Sequence, residues 1–266
     1  MNNALLITKY YLKRAFSRPL DVALMTLLPV GIIVVNVMLN MNIINLGGGD
    51  TGDMYFQGFN IEATVLTMFI LVMFQTMSGV YAGEFVFTDF RDVNKWRRRA
   101  LPVPSWSFTF AAVAASVLFS FATAVFILVV MHFGFSIYLG NWFIVLPLVF
   151  LVGLWAQFIG IIVAMFVSKK SVIDGVTIIL GFVLSSLSGT FLIAVPIPAV
   201  VRDFVIPTGV AVRGIVSTNI ITTVEGGVSW MWGDTMTDSL MAIGIMVAHV
   251  IVAAIVAVVL MRRKVS

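Results

Sequence analysis

The chain has 266 residues, of which 61% are hydrophobic, 11% are charged and none is cysteine. A soluble domain carries about a quarter charged residues, so this composition indicates an integral membrane protein. The lack of cysteine excludes disulfides and thiolate metal sites. The net charge of +4 does not indicate a nucleic-acid partner, because the cations follow a membrane topology.

A short helix is predicted at the start of the chain. Apolar residues recur at helical spacing from Ala4 to Phe16, and Pro19 ends the run. The other sides of this helix carry four cations, Lys9, Lys13, Arg14 and Arg18. The pattern predicts an N-terminal elbow helix that lies in the cytoplasmic membrane interface.

Six segments contain no Asp, Glu, Lys or Arg and reach the roughly 20 residues that a helix needs to cross a bilayer. They are Leu24–Ile44, Ala63–Ala82, Phe108–Met131, Trp142–Val167, Val176–Val195 and Leu240–Met261. We therefore expect an all-α integral membrane protein with six transmembrane helices. We expect residues 1–266 to form a single domain.

The distribution of cations predicts the orientation of these helices. Fourteen of the sixteen Lys and Arg residues precede the first segment, follow the second, follow the fourth or follow the sixth. Only Arg202 and Arg213 fall on the opposite side. Because cytoplasmic loops carry an excess of Lys and Arg, we expect a multi-pass protein of the cell membrane with both termini in the cytoplasm.

The connection between the second and third segments is the most charged part of the chain. On a helical wheel of residues 84–99, one side is apolar and holds Phe85, Val86, Phe87, Phe90, Val93 and Trp96. The opposite side mixes both signs of charge, and a Pro-containing turn at residues 101–104 ends the helix. Such a helix suits anchoring to anionic membrane lipid and suits a protein partner equally well.

Residues 188–215 are apolar but interrupted by proline and glycine, so that one helix is unable to run through them. The interruptions are Pro196, Pro198, Pro207, Gly209 and Gly214. We expect two broken half-helices near the outer surface, before the last transmembrane helix.

This order of elements resembles, over essentially the whole chain, the permease subunits of type-two ATP-binding cassette (ABC) exporters. Two parts carry the resemblance best. One is Gly83-Glu84 followed by the charged helix and its Pro-containing turn. The other is Ser188-Gly189 followed by three prolines, Pro196, Pro198 and Pro207.

The resemblance implies an exporter of an amphipathic or hydrophobic substrate, such as a peptide, a lipid or a drug-like molecule. It implies a permease that is not itself an enzyme and has no cofactor of its own. Two separate ATPase subunits would bind ATP and Mg²⁺ and dock beneath the permease. A second permease chain, identical or a sibling, would complete the dimer.

The resemblance also assigns roles to residues. Residues 84–99 would be the coupling helix that docks the ATPase, through Glu84, Phe87, Phe90, Arg91, Val93, Trp96 and Arg98. The turn with Lys169, Lys170 and Asp174 would be a second cytoplasmic contact. No catalytic or metal-binding residue is expected.

A substrate path along the second and fifth helices is a further hypothesis. Flexible Met together with aromatic and hydroxyl side chains suits varied apolar cargo. The residues concerned are Thr67, Met73, Phe74, Gln75, Met77, Ser185 and Ser188. Ordinary helix packing explains the same pattern.

Other classes of protein fit less well. An ion-coupled secondary transporter usually needs carboxylates inside the membrane, and the six segments have none. An uncoupled channel does not account for the amphipathic helix. An intramembrane serine protease would use Ser188 and His249, but no set of side chains for an oxyanion hole accompanies them.

Overall fold

The computed structural model describes residues 2–46, 66–90, 103–135, 137, 140–188, 197–217 and 235–265. Every regular element in these ranges is helical. In chain order the helices are α1 (Asn2–Phe16), α2 (Pro19–Leu46), α3 (66–77), α4 (Val80–Phe90), α5 (Ser105–Val129), α6 (Trp142–Phe166), α7 (Lys170–Leu187), α8 (Ala199–Phe204), α9 (Pro207–Val216) and α10 (Thr235–Val265). A π-helical turn, Val130–Gly134, continues α5.

Within the described ranges, five helical segments are long and apolar enough to cross a membrane. They are Leu66–Phe90, Trp106–Gly134, Trp142–Phe166, Lys170–Leu187 and Thr237–Arg263. A sixth is present if α1 and α2, which meet at a bend of 69°, are counted as one broken span. The protein is therefore an all-α protein built for a membrane, and the position of α1 in the membrane interface stays a prediction.

Two of the six predicted spans, the second and the fifth, have clearly different bounds in the structure. The second candidate span runs to Phe90 rather than ending at Ala82, and the fifth is Lys170–Leu187 rather than Val176–Val195. The prediction stopped the second span before Glu84 and began the fifth after Asp174, whereas ion pairs allow Glu84 and Lys170 to lie within the helices. The fifth helix also ends earlier than predicted, at Leu187. The six segments taken from the sequence contain no carboxylate, but the candidate spans of the folded chain have other bounds and include Glu84, Asp89, Asp174 and Asp238.

The helix α6 lies at the centre of the packing and contacts α4, α5, α7, α9 and α10. Its inward side chains are fully buried, as at Leu148, Val152 and Ile161. By contrast, α7 and α10 expose apolar side chains along much of their length, as at Ile179 and Val252. Exposed apolar faces of this kind suit contact with lipid.

The interrupted segment before α10 contains two short helices, as the pattern of prolines predicts. Pro198 directly precedes α8, and Pro207 is the first residue of α9, where its missing N–H costs no hydrogen bond. Nearly all of α9 is buried, and it packs on α6 and α10. The predicted motif residues Gly189 and Pro196 lie outside the described residues.

Candidate functional site

Charged side chains from three separate elements meet at one end of the bundle, which we call the basic end. It comprises the bend between α1 and α2, the last two turns of α4 and the first turn of α7. Glu84 lies at its centre with only 8% of its side chain exposed. One carboxylate oxygen, Oε2, is 2.7 Å from Arg18 Nη1, and the other, Oε1, is 3.0 Å from Lys170 Nζ. Glu84 therefore connects the bend and α7 to α4.

The local sequence explains why these cations reach Glu84. Arg18 lies in the two-residue gap between Phe16 and Pro19, where the chain turns, and it also contacts Asp21 at 3.3 Å. Burial lowers the pKa of the Arg18 guanidinium, but its hydrogen bonds and charge attraction to Glu84 and Asp21 outweigh this, so its pKa is raised. The guanidinium is thus held in its charged form. Asp174 lies one turn after Lys170 on the same helix, near the Glu84 carboxylate.

Aromatic packing holds α4 on every side. The ring of Phe85 stacks on that of Tyr11 with centroids 4.8 Å apart, and the Arg14 guanidinium lies 5.7 Å from the Phe85 ring. Phe87 packs with Ala164 of α6 and Ile173 of α7. From Tyr81 to Phe90 no residue of α4 is more than marginally exposed. The helix is therefore embedded in its own chain.

The expected docking residues divide into two groups. Glu84, Phe87 and Phe90 are buried within the chain, so residues 84–90 do not form an amphipathic surface helix as the wheel predicts. They continue the second span instead, since Glu84 is neutralised and the aromatic side chains pack inward. The other expected docking residues, Arg91, Val93, Trp96 and Arg98, lie outside the described residues.

The second predicted contact is also divided. Lys169 is exposed, whereas Lys170 and Asp174 turn toward Glu84 of the same chain. Lys169 is the most exposed of the three, and Lys170 keeps 41% of its side chain exposed while it pairs with Glu84, so both lysines stay accessible in this conformation.

The residues of the predicted substrate path are described and buried: Thr67, Met73, Phe74, Gln75, Met77, Ser185 and Ser188. Two of the helices that carry them do meet, because a Cβ on Gly181 of α7 would lie only 2.6 Å from Met77 Cγ. Met77 thus fills the space over Gly181. The helices are closed against each other in this conformation, as in ordinary packing.

The sequence analysis missed a polar and glycine-rich contact between α4 and α6. A Cβ on Gly160 would overlap the main-chain oxygen of Gly79, and one on Gly83 would lie 2.8 Å from Gly160 O. Gln157, one turn before Gly160, is fully buried and hydrogen-bonds to the same region of the second span. The signal was present in the sequence, since Gly79 and Gly83 have the spacing that brings membrane helices into close contact.

The geometry gives no support to a serine protease. Ser188 Oγ donates to Ser185 O at 2.8 Å. The two ring nitrogens of His249 lie 2.9 Å from Ile245 O and 3.1 Å from Val205 O. A catalytic Ser–His pair needs a ring nitrogen free to accept the serine proton, and both nitrogens of His249 face carbonyl oxygens.

Comparison with known proteins provides no family: no family model and no curated protein matches the chain.

Proposed function

We propose that the chain is the permease subunit of an ATP-driven exporter in the cell membrane, with both termini in the cytoplasm. Separate ATPase subunits would bind ATP and Mg²⁺ and drive the transport of an amphipathic or hydrophobic substrate. A second permease chain, identical or a sibling, would complete the assembly. The observation that carries this proposal is the ion-paired Glu84, which joins three elements at the basic end.

A permease without a motor has to receive force from outside and pass it into the membrane. The residues that follow Phe90 are the proposed docking segment, and α4 is the helix that leads from them into the bundle. Through Glu84, α4 is tied to Arg18 at the bend and to Lys170 at the start of α7. Displacement of the docking segment would therefore move α4 together with both neighbours.

The proposed docking surface consists of Arg91, Val93, Trp96 and Arg98, with Lys169 as the second contact. Glu84, Phe87 and Phe90 are buried within the chain and hold α4, the helix from which the docking segment continues in sequence. Buried support fits a coupling role, since a helix that transmits force needs firm contacts behind it. The proposed substrate path would open where Met77 now packs on Gly181.

The first test is docking of the ATPase. Replacing Trp96 by Ala should release a candidate ATPase from the co-purified complex, because truncating an aromatic anchor costs about 2 kcal/mol or more, roughly a 30-fold weaker affinity. Trp106→Ala is the matched control, since Trp106 is 63% exposed at the start of α5. The measurement is the ratio of ATPase to permease in detergent without anionic lipid.

Two results would contradict the proposal. One is retention of the ATPase, with normal transport-linked hydrolysis, by the Trp96→Ala variant. The other is magnesium-dependent ATP turnover by the purified chain alone, because a permease of this kind leaves hydrolysis to its partners.

A further inference from the structure

The second span is interrupted in its middle. Helix α3 ends at residue 77 and α4 begins at Val80, with a turn at Ser78–Gly79 between them. The carbonyl of Ser78 accepts a hydrogen bond from Tyr81 N, three residues on, at 3.1 Å. In a regular α-helix that carbonyl would accept from Ala82 instead. The tight turn thus leaves the Ala82 N–H in need of another acceptor.

A side chain from the neighbouring helix supplies that acceptor. Gln157 Oε1 accepts from Ala82 N at 3.2 Å, and Gln157 Nε2 donates to Ser78 Oγ at 2.9 Å. Ser78 Oγ in turn donates to Gln75 O at 2.6 Å. One amide group of α6, with none of its surface exposed, therefore bonds to both sides of the break.

The two halves of the span contact α7 at different points along it. On the C-terminal side of the break, the ion pairs of Glu84 fix α4 to the basic end. On the N-terminal side, in α3, Gln75 Nε2 donates to Ser120 O of α5 at 2.9 Å, and Met77 packs on Gly181 of α7. The break lies between the part of the span that is ion-paired at the basic end and the part that packs on Gly181 of α7.

The hydrogen bonds at the break have an alternative arrangement. If Ala82 N–H returned to Ser78 O, the span would become a continuous helix and Gln157 Oε1 would be released. Interhelical hydrogen bonds of this kind in membranes are modest in strength, so exchange between the two arrangements is within the range of ordinary conformational change. Helix kinks commonly have such a local cause.

We propose that Gln157 and Ser78 form a hydrogen-bonded joint in the second span, and that Gln157 is a positioning residue that sets the angle between α3 and α4. The joint stands on the geometry alone, and only its use in transport rests on the proposed function. When α4 moves at the basic end, the joint converts that displacement into a change of the contact between α3 and α7.

Amide hydrogen exchange of the purified full-length chain tests the joint. Gln157→Met keeps the length of the side chain but removes both hydrogen bonds, and it should raise exchange in residues 78–84 roughly three- to twentyfold. Gln157→Glu should stay close to wild type, because an unpaired carboxyl at this fully buried position is expected to be neutral, so that it accepts from Ala82 N and donates to Ser78 Oγ. Ser116→Ala is the control, because Ser116 is fully buried but bonds only within its own helix, to Ala112 O.

Ser78→Ala provides a second variant if Gln157→Met does not fold. It removes the bond from Gln157 Nε2 and the bond from Ser78 Oγ to Gln75 O, but it keeps Gln157 Oε1 as the acceptor for Ala82 N, so a smaller rise in exchange of the same residues is expected. The double variant should show less than the sum of the two single effects. Exchange at the wild-type rate in both single variants, or Gln157→Glu behaving like Gln157→Met, overturns the joint.

Transport per ATP, measured with the ATPase bound, should fall in Gln157→Met and return in Gln157→Glu. If exchange responds but no ATPase binds the chain, the proposed function fails and the joint stands.

Discussion

Replacing Gly160 by Ala is expected to abolish most of the folded protein. The added methyl group would overlap Gly79 O and lie 2.6 Å from Gly79 C, so it meets main chain rather than a side chain that could turn away. The second span and α6 would have to separate along the contact that also contains Gln157. The cost should exceed the roughly 1–3 kcal/mol of ordinary overpacking. The measurement is the yield of monodisperse protein in detergent and its apparent melting temperature.

Two other glycines provide matched controls. Gly175 in α7 and Gly244 in α10 also lie in candidate spans, and a Cβ on either would meet no atom within 4 Å. Because Ala favours a helix over Gly by about 1 kcal/mol, Gly175→Ala and Gly244→Ala should equal or exceed the wild type in stability. A Gly160→Ala protein as abundant and stable as these two would show that α4 and α6 do not approach as closely as described.

The sequence was sufficient to predict the membrane-spanning helices because hydropathy depends on composition alone. It is insufficient for the ends of two of them, because a charged residue does not end a helix when ion pairs neutralise it. A helix continues through Glu84 when Arg18 and Lys170 neutralise it, and those partners are distant in sequence. Arg18 and Glu84 are separated by 66 positions, so only the folded chain reveals the pair.

The candidate site was predictable in its location but not in its role. The wheel of residues 84–99 predicted an apolar side that needs a partner, and for Phe87 and Phe90 that partner is the same chain. Periodicity identifies a face to be buried but does not say what buries it. For Gln157, the deciding fact is the break at Ser78–Gly79, which lies against Gly160 of another helix and is not visible in the sequence pattern.

Replacing Glu84 by Gln should destabilise the protein by about 2 kcal/mol, or roughly 4–8 °C in apparent melting temperature. Removing one partner of a fully buried ion pair costs about 3–5 kcal/mol. The smaller value is expected here because the side chains of Arg18 and Lys170 are 29% and 41% exposed, so water partly screens them. Arg18→Met should cost more than Lys170→Met, since Arg18 is the less exposed cation and lies closer to the carboxylate.

Asp203→Asn is the control for the loss of a carboxylate. Asp203 pairs at 2.7 Å with Arg202, its neighbour in sequence, so its loss breaks no ion pair between distant elements.

If the Glu84 cluster acts as a unit, Glu84→Gln combined with Arg18→Met should cost less than the sum of the two single changes. Equal melting temperatures for Glu84→Gln and the wild type would mean that the ion pairs do not tie α4 to its neighbours. Under the proposed function, the ATPase should still co-purify with Glu84→Gln, because Glu84 is buried within the chain. Transport per ATP should fall, because α4 would no longer be ion-paired to the bend and to α7.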